Sequence, residues 1–424
     1  MLGRAGHRVQ VLEKRRMDVP SGGQRVPPNC SKILRQWVGE EELWKVATRC
    51  VGTPMHRFKS GENVGYLEWK PAVMAETGGE FLLMHHEDLV DMLRKLAVDA
   101  GASIHLDAEV KTVRPGSDED PRPSVVLSTG KVLVADILIG ADGSSSIVRD
   151  VVVEEKGLLK SAGLTVYTGT LEAADMLNDP ELSTLYHADD WPIWMGEHRS
   201  LIGHPLRARR QYSIGFYRWH GPEIEPAKPN WEDIHTTNNL PTGTCAPVVQ
   251  RLLKLAGQVI RTEQVSFGDG THGWTDSTGR IVLLGEAAHP ALPGGSHTAS
   301  MAIEDAVVLG SLFSHLRSMD QVPSLLRAYQ ELRQRRCKTL VEADIGNTRL
   351  MCLPAGPAAD ARDESLRRKY DDWDEGMLKA SFEEIAEVFA YDAGDAAEEW
   401  WVSWGRFHET AGEQPGVIVS VHQE

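Results

Sequence analysis

Twelve residues precede Glu13, and they leave little room for what a strand ending in this residue usually follows. Residues Leu2 to Gly6 read as the last turn of a helix closed by glycine, and Arg8-Val9-Gln10-Val11-Leu12 follows at once as a strand. A helix end feeding a strand that stops at an acidic residue is the second half of a βαβ nucleotide-binding unit. In such a unit the acid lies about 20 residues beyond the start of a G-x-G-x-x-G turn and hydrogen-bonds a ribose hydroxyl. Neither that turn nor the first strand fits before Glu13. Because the first strand is central in the doubly wound order, the fold requires another segment to fill its place.

The rest of the chain alternates helix and strand at both ends and changes character in the middle. Ser21 to Asn29 is a glycine-rich loop closed by Pro27-Pro28, with a helix from about Lys32. Leu89, Met92, Leu93, Leu96 and Ala97 fall at helical spacing, which predicts a core-facing helix over 87–100. Strands are predicted over 103–113 and 125–134, the latter with a turn at 128–131. The apolar run Ile137-Leu138-Ile139-Gly140 ends in Ala141-Asp142-Gly143, as a buried parallel strand with a ligand at its carboxyl end would. From about 158 to 267 the pattern is short alternating strands, several tryptophans and little helix, which predicts an antiparallel sheet. A strand over 280–285, a helix over 299–316 and a helix from 324 to about 343 return to the α/β pattern. The tail past Pro354 is acidic, with Trp373, Trp400, Trp401 and Trp404 among helical patches. The expected divisions are 1–157, 158–267, 268–350 and 351–424.

Charge and cysteine usage narrow the partners. A net charge of −16 with no long basic run argues against nucleic acid or an anionic membrane surface, and leaves a small molecule as the partner. Five scattered cysteines without C-x-x-C spacing indicate neither a disulfide framework nor a zinc site. His235, His272 and His315 show no ligand spacing, so no metal is expected. No stretch is apolar enough to span a bilayer, and residues 1–16 lack the apolar region of a signal peptide. The expectation is a soluble, cytoplasmic protein.

Five motifs in order, Val11-Leu12-Glu13-Lys14, Val26-Pro27-Pro28-Asn29, Ile139-Gly140-Ala141-Asp142-Gly143-Ser144, Leu283-Leu284-Gly285-Glu286-Ala287-Ala288-His289-Pro290 and Met301-Ala302-Ile303-Glu304-Asp305-Ala306, carry a resemblance. The chain resembles the FAD-dependent monooxygenases of the aromatic hydroxylase type over about 1–365. Leu353-Pro354-Ala355-Gly356-Pro357 with Ala361-Arg362-Asp363 is similar to the salicylate-hydroxylase-like branch common in fungal secondary metabolism. The resemblance implies an α/β fold: a Rossmann-like FAD-binding domain, incomplete at its N-terminus, with an inserted antiparallel substrate domain. It also implies FAD and NAD(P)H as cofactors, and transfer of one O2-derived oxygen atom to a small aromatic or polyketide/alkaloid-like metabolite. Glu13 would bind the adenosine ribose, Gly22 and Gly23 would line the flavin, and Asp142-Gly143 would contact the phosphate regions. Glu286 would hold the ribityl chain, and the helix starting near Thr298 would aim its amides at the pyrophosphate or a flavin carbonyl.

The departures from the family pattern are as specific as the matches. The cofactor-contacting arginine is His86, the usual Gly-Asp is Gly285-Glu286, and the flavin-side Gln-Gly is His297-Thr298. On the substrate sheet, Thr168 stands where an arginine is usual and His204 where a tyrosine is. Two accounts of the beginning stay open: a start placed too late in an ordinary flavoenzyme, or a real truncation with the fold recruited away from flavin. In the second, His204 and His297, with His289, offer an acid/base cluster for a cyclisation, isomerisation or rearrangement, or the chain is a non-catalytic remnant. Glu304 and Asp305, adjacent on a helix, point about 100° apart and are expected to pair with basic groups rather than share a proton. Trp191 and Trp194 are candidate walls for a planar substrate.

Overall fold

The computed structural model describes residues 1–15, 22–221, 232–267, 272–367 and 386–405. Trp373 and part of the glycine-rich loop, including Ser21, lie outside these residues. The fold is α/β, and its largest element is an eight-stranded sheet in the order Ile234–Thr236, Gln258–Ser266, Lys160–Glu172, Gln211–Trp219, Arg199–Leu206, Ile193–Gly196, Gly52–Arg57, Asn63–Glu68. Six of these strands come from the predicted sheet region. The last two come from 52–68, where proline and glycine break up the alternation by which a strand is recognised. The added hairpin joins by a parallel pairing of Ile193 with Met55 and Met195 with Arg57, so the sheet is mixed rather than wholly antiparallel.

Strict alternation divides the sheet into two buried faces. Tyr167, Leu171, Trp194, Leu201, Tyr212, Ile214 and Phe216 face the helix Pro247–Ala256 and form one core. Leu164, Val166, Trp191, Ile193, Met195, Ile202 and Tyr217 face the other way and pack with Phe81, Leu83 and Leu292. Trp191 and Trp194 therefore lie on opposite faces and cannot wall one pocket. Trp194 stacks on His56 inside the first core, with ring centroids 5.6 Å apart.

The remaining strands form small sheets. Gln10–Leu12 pairs in parallel with Ser103–His105, and Leu138–Gly140 in parallel with Ile281–Leu283. Among the described residues no strand joins these two pairs into one sheet. Val11 is 37% exposed, unusual for a strand of a parallel sheet, which normally has both faces covered. The segment Leu2 to Gly6 forms turns rather than a helix, with Gly6 at φ +90 where a left-handed conformation is required. A third small sheet, Gly23–Val26 with Leu82–His85 and Thr48–Arg49, carries the described part of the glycine-rich loop.

Two helices organise the core behind these strands. Thr298–Ser314 is apolar nearly all round and buried along most of its length, and Val322–Met351 runs beside it, longer than its sequence pattern predicts. Glu304 and Asp305 are buried in the first and meet cations from the second, as their adjacency on a helix implied. Arg333 lies 2.8 Å from both, Arg336 bonds Glu304 at 2.9 Å, and Asn29 bonds Glu304 at 2.7 Å. The second proline of Pro27-Pro28 opens the helix Pro28–Val38, where a missing N–H is harmless. Among the described residues no helix is long and apolar enough to cross a membrane, and all five cysteines are free and buried.

Candidate active site

The strand Gly23–Val26 connects the parts of the site. At its start the Gly22 carbonyl accepts the backbone N–H of His86 (3.1 Å), and the Gly23 N–H donates to Ser213 Oγ (3.1 Å). A Cβ at Gly23 would stand 2.2 Å from Cε1 of His204, and one at Gly22 would meet Thr168 at 3.2 Å. The glycines are needed because the loop lies against the sheet at the two positions where this chain departs from its resemblance. Further along, Arg25 Nη2 donates to the carbonyl of Gly294 at 2.5 Å. Thus Gly22, Gly23, His86, His204 and the segment leading to His297 converge on one region.

His297 and Asp344 form a dyad that sequence spacing did not reveal. Nδ1 of His297 lies 2.9 Å from Asp344 Oδ1, and the His297 backbone N–H donates to Oδ2 at 3.1 Å. Burial alone would raise the Asp344 carboxyl, but contact with His297 more than offsets this and holds it below the usual range. An ionised carboxylate only accepts, so Nδ1 of His297 is the donor in this bond. That Nε2 is buried and has no hydrogen-bond partner among the described residues. Phe389 stacks on the ring with centroids 5.7 Å apart.

His204 is a different kind of histidine. Burial first, and the charge of Arg25 second, push its pKa down to about 3. At neutral pH it is an uncharged ring. His289 Nε2 donates to the ionised Asp305 carboxylate at 2.6 Å, so it belongs to the buried ion network. Ligand atoms of His289, Asp305 and Cys337 lie within 4.8 Å of one another, but Arg333 already holds Asp305 at 2.8 Å and approaches Cys337 Sγ at 3.4 Å. A guanidinium occupies the place a metal cation would take.

The cofactor positions divide. Glu286 lies in the turn Gly285–Ala287, and its carboxyl makes no hydrogen bond or ion pair among the described residues. Desolvation raises its pKa. An unpartnered, desolvated carboxyl fits a ligand hydroxyl group. Thr298 begins its helix with its hydroxyl donating to Leu292 (2.8 Å), and no side chain caps the helix start. Both features fit the flavin that the resemblance implies.

Glu13 sits at the end of Gln10–Leu12 in the separate two-stranded sheet, with its carboxylate accepting the N–H of Arg15 at 2.9 Å. Asp142 also has a structural role beside the one the resemblance implies. Its oxygens accept the N–H groups of Ile147 (2.9 Å) and Val148 (3.3 Å) and the Ser146 hydroxyl, so the carboxylate caps the helix Ile147–Val152. Gly143 beside it takes φ +79 to make the turn. Asp142→Ala should lower stability by about 1 kcal/mol in a denaturant titration and leave FAD affinity unchanged. A large loss of FAD affinity at unchanged stability would instead make Asp142 a cofactor ligand.

Comparison with known proteins places the fold and the family. The chain is 22% identical over 369 residues to FAD-dependent monooxygenase OpS4 of Beauveria bassiana, covering 85% of this chain and 84% of that protein. It is 26% identical over 359 residues to hispidin-3-hydroxylase of Neonothopanus nambi, covering 80% and 82%. The fold superposes on a salicylate hydroxylase substrate complex with a TM-score of 0.70 at 18% identity, covering 89% and 90% of the two chains. The model of the FAD binding domain matches residues 1–344, which is most of the sequence, and the chain therefore belongs to that family.

Proposed function

We propose that this chain is a flavoprotein monooxygenase that places one O2-derived oxygen atom on a small aromatic or polyketide/alkaloid-like metabolite, with NAD(P)H as reductant. The observation that carries the reading is the unpartnered Glu286 carboxyl in a chain of this family, together with the uncapped helix start at Thr298. The free buried cysteines fit a reducing compartment, so the proposed location is the cytoplasm, and the proposed setting is secondary metabolism.

Bound FAD would supply the redox chemistry, accepting a hydride and activating dioxygen. The chain's own residues do the rest. Glu286 accepts a hydroxyl of the ribityl chain, Gly22 and Gly23 let the backbone approach the ring, and His86 stands at the edge of that loop. The first amides of the helix beginning at Thr298 favour negative charge at the pyrophosphate or a flavin carbonyl. The Nε2 lone pair of His297, its ring held by Asp344, takes the proton from a substrate hydroxyl, which makes the aromatic ring more electron-rich. His204, neutral, contributes a hydrogen-bonding edge. The buried rings of Trp191 and Phe81 exclude water.

The test is the visible absorbance spectrum of the purified chain with and without added FAD, followed by NADH and NADPH oxidation under air. A flavin spectrum with substrate-stimulated oxidation of either nucleotide is the expected result. A folded protein that stays colourless at saturating FAD sinks the reading.

A further inference from the structure

Arg25 is 8% exposed, yet among the described residues it forms no ion pair. A buried guanidinium normally faces a carboxylate. Arg333 meets Glu304 and Asp305, and Arg261 meets Asp233 at 3.2 Å. Arg149, which forms no contact ion pair among the described residues either, feels Asp142 and Asp150 and is satisfied by the carbonyls of Ser144, Glu286 and Ala287. Arg25 has five donors, and its contacts among the described residues both run through Nη2, to the Gly294 carbonyl and, at 3.4 Å, to the Tyr217 hydroxyl. Nε and Nη1 have no acceptor there.

The surroundings specify what those donors would meet. The guanidinium lies 5.4 Å from the ring centroid of Trp191. Trp191 meets Phe81 edge-on at 5.1 Å, and Phe81 meets Phe389 edge-on at 5.0 Å. Phe389 in turn stacks on His297, whose Nε2 has no partner among the described residues. A continuous set of aromatic rings therefore runs from the guanidinium to the His297 ring. The one charge facing this region from a neighbouring element is Asp344, which feels the charge of Arg25 but spends its hydrogen bonds on His297, while His204 is neutral. Among the described residues no carboxylate makes a contact ion pair with Arg25.

We propose that Arg25 is the specificity-determining residue of the substrate site, where its unused donors receive an anionic oxygen, carboxylate or phenolate, borne by a planar aromatic substrate. The cation reaches the site from the glycine-bearing strand, while the sheet position 168 holds threonine. The proposal rests on the monooxygenase reading for the class of substrate, but its geometry requires only that a planar anion binds. A fixed planar cation discriminates an anion from its neutral isostere because the neutral form leaves the guanidinium desolvated and uncompensated.

The experiment titrates the tryptophan fluorescence of the full-length protein, loaded with FAD, against 1-hydroxy-2-naphthoate and against the matching carboxamide. The acid should bind at least about tenfold more tightly. Arg25→Gln should abolish that preference, and Arg25→Lys should keep part of it. 4-Nitrophenol, titrated below and above its own pKa, separates the two sources of the anion. Arg25-dependent tightening on ionisation assigns a phenolate, whereas a preference confined to the naphthoate assigns a carboxylate. Equal affinity for acid and amide in the unaltered protein overturns the proposal, as does a preference that survives in Arg25→Gln or a failure of every anion to bind. The unaltered protein's acid-to-amide ratio needs no variant to fold. The two ideas fail separately: a protein that stays colourless at saturating FAD yet still prefers the acid removes the monooxygenase reading and leaves the anion site standing.

Discussion

Arg333→Met is expected to lower stability at neutral pH by about 3–5 kcal/mol, enough to unfold a marginal domain. Arg333 is fully buried between Glu304 and Asp305 and also donates to the Met301 carbonyl at 3.3 Å. The methionine has similar bulk, so the loss is electrostatic. Glu304 retains Arg336 and Asn29, whereas among the described residues Asp305 keeps His289, the Gly285 N–H and the weak Cys337 thiol donor but no guanidinium. The pH dependence identifies the cause. Burial alone would raise the Asp305 carboxyl, yet His289 and Arg333 hold it far below the ordinary range. A depressed carboxylate stabilises the native state above its unfolded pKa of about 3.9, and that contribution is lost as pH falls toward the folded value. The unaltered protein should therefore weaken on acidification. In Arg333→Met the deficit should shrink over the same range, because the orphaned carboxylate can take up a proton. Urea titrations at neutral pH and at about pH 3, below the unfolded pKa, measure both; a loss under about 1 kcal/mol, or one that does not change between them, would show that the network contributes little.

Gly23→Ala should have the second large effect. The added methyl would stand 2.2 Å from His204 Cε1 and 2.8 Å from both His204 Nε2 and Ser213 Cβ. His204 is 5% exposed and has no space to retreat into, so the strand Gly23–Val26 must lift from the sheet. The expected loss is about 1–3 kcal/mol, with a fall in FAD affinity because the same strand aligns Gly22 and His86. His204→Ala alone leaves a void, but in combination it gives the new methyl somewhere to go. The two substitutions should therefore recover part of the loss when combined, and a thermal-melt double-mutant cycle reads that coupling. Strict additivity would mean that the loop does not rest on His204.

The legible parts of this molecule are those with local causes. The strands Leu138–Gly140 and Ile281–Leu283, the hairpin around Ser128 to Lys131 and the helix Thr298–Ser314 follow from apolar period and turn chemistry alone. The helix-capping bonds of Asp142 were not legible because an acid at a strand end looks the same in sequence whether or not it also accepts the Ile147 N–H. Arg25 and Asp344 were invisible for the opposite reason. A charged residue in a strand or on a long helix reads as a solvated face until packing shows it buried. The hairpin over 52–68 could not be assigned to the sheet, since its register with Ile193 is a long-range fact that no local pattern encodes.

That parallel pairing of Met55 with Ile193 bears on how the polypeptide emerges during synthesis. The hairpin Gly52–Arg57 and Asn63–Glu68 leaves the ribosome well before the strand it docks against exists. Met55, Phe58 and Val64, all under 9% exposed in the finished protein, must wait uncovered through the translation of everything between. A nascent chain stalled in that interval presents an apolar hairpin with an open edge, the kind of surface that chaperones hold and that associates with other chains when they do not.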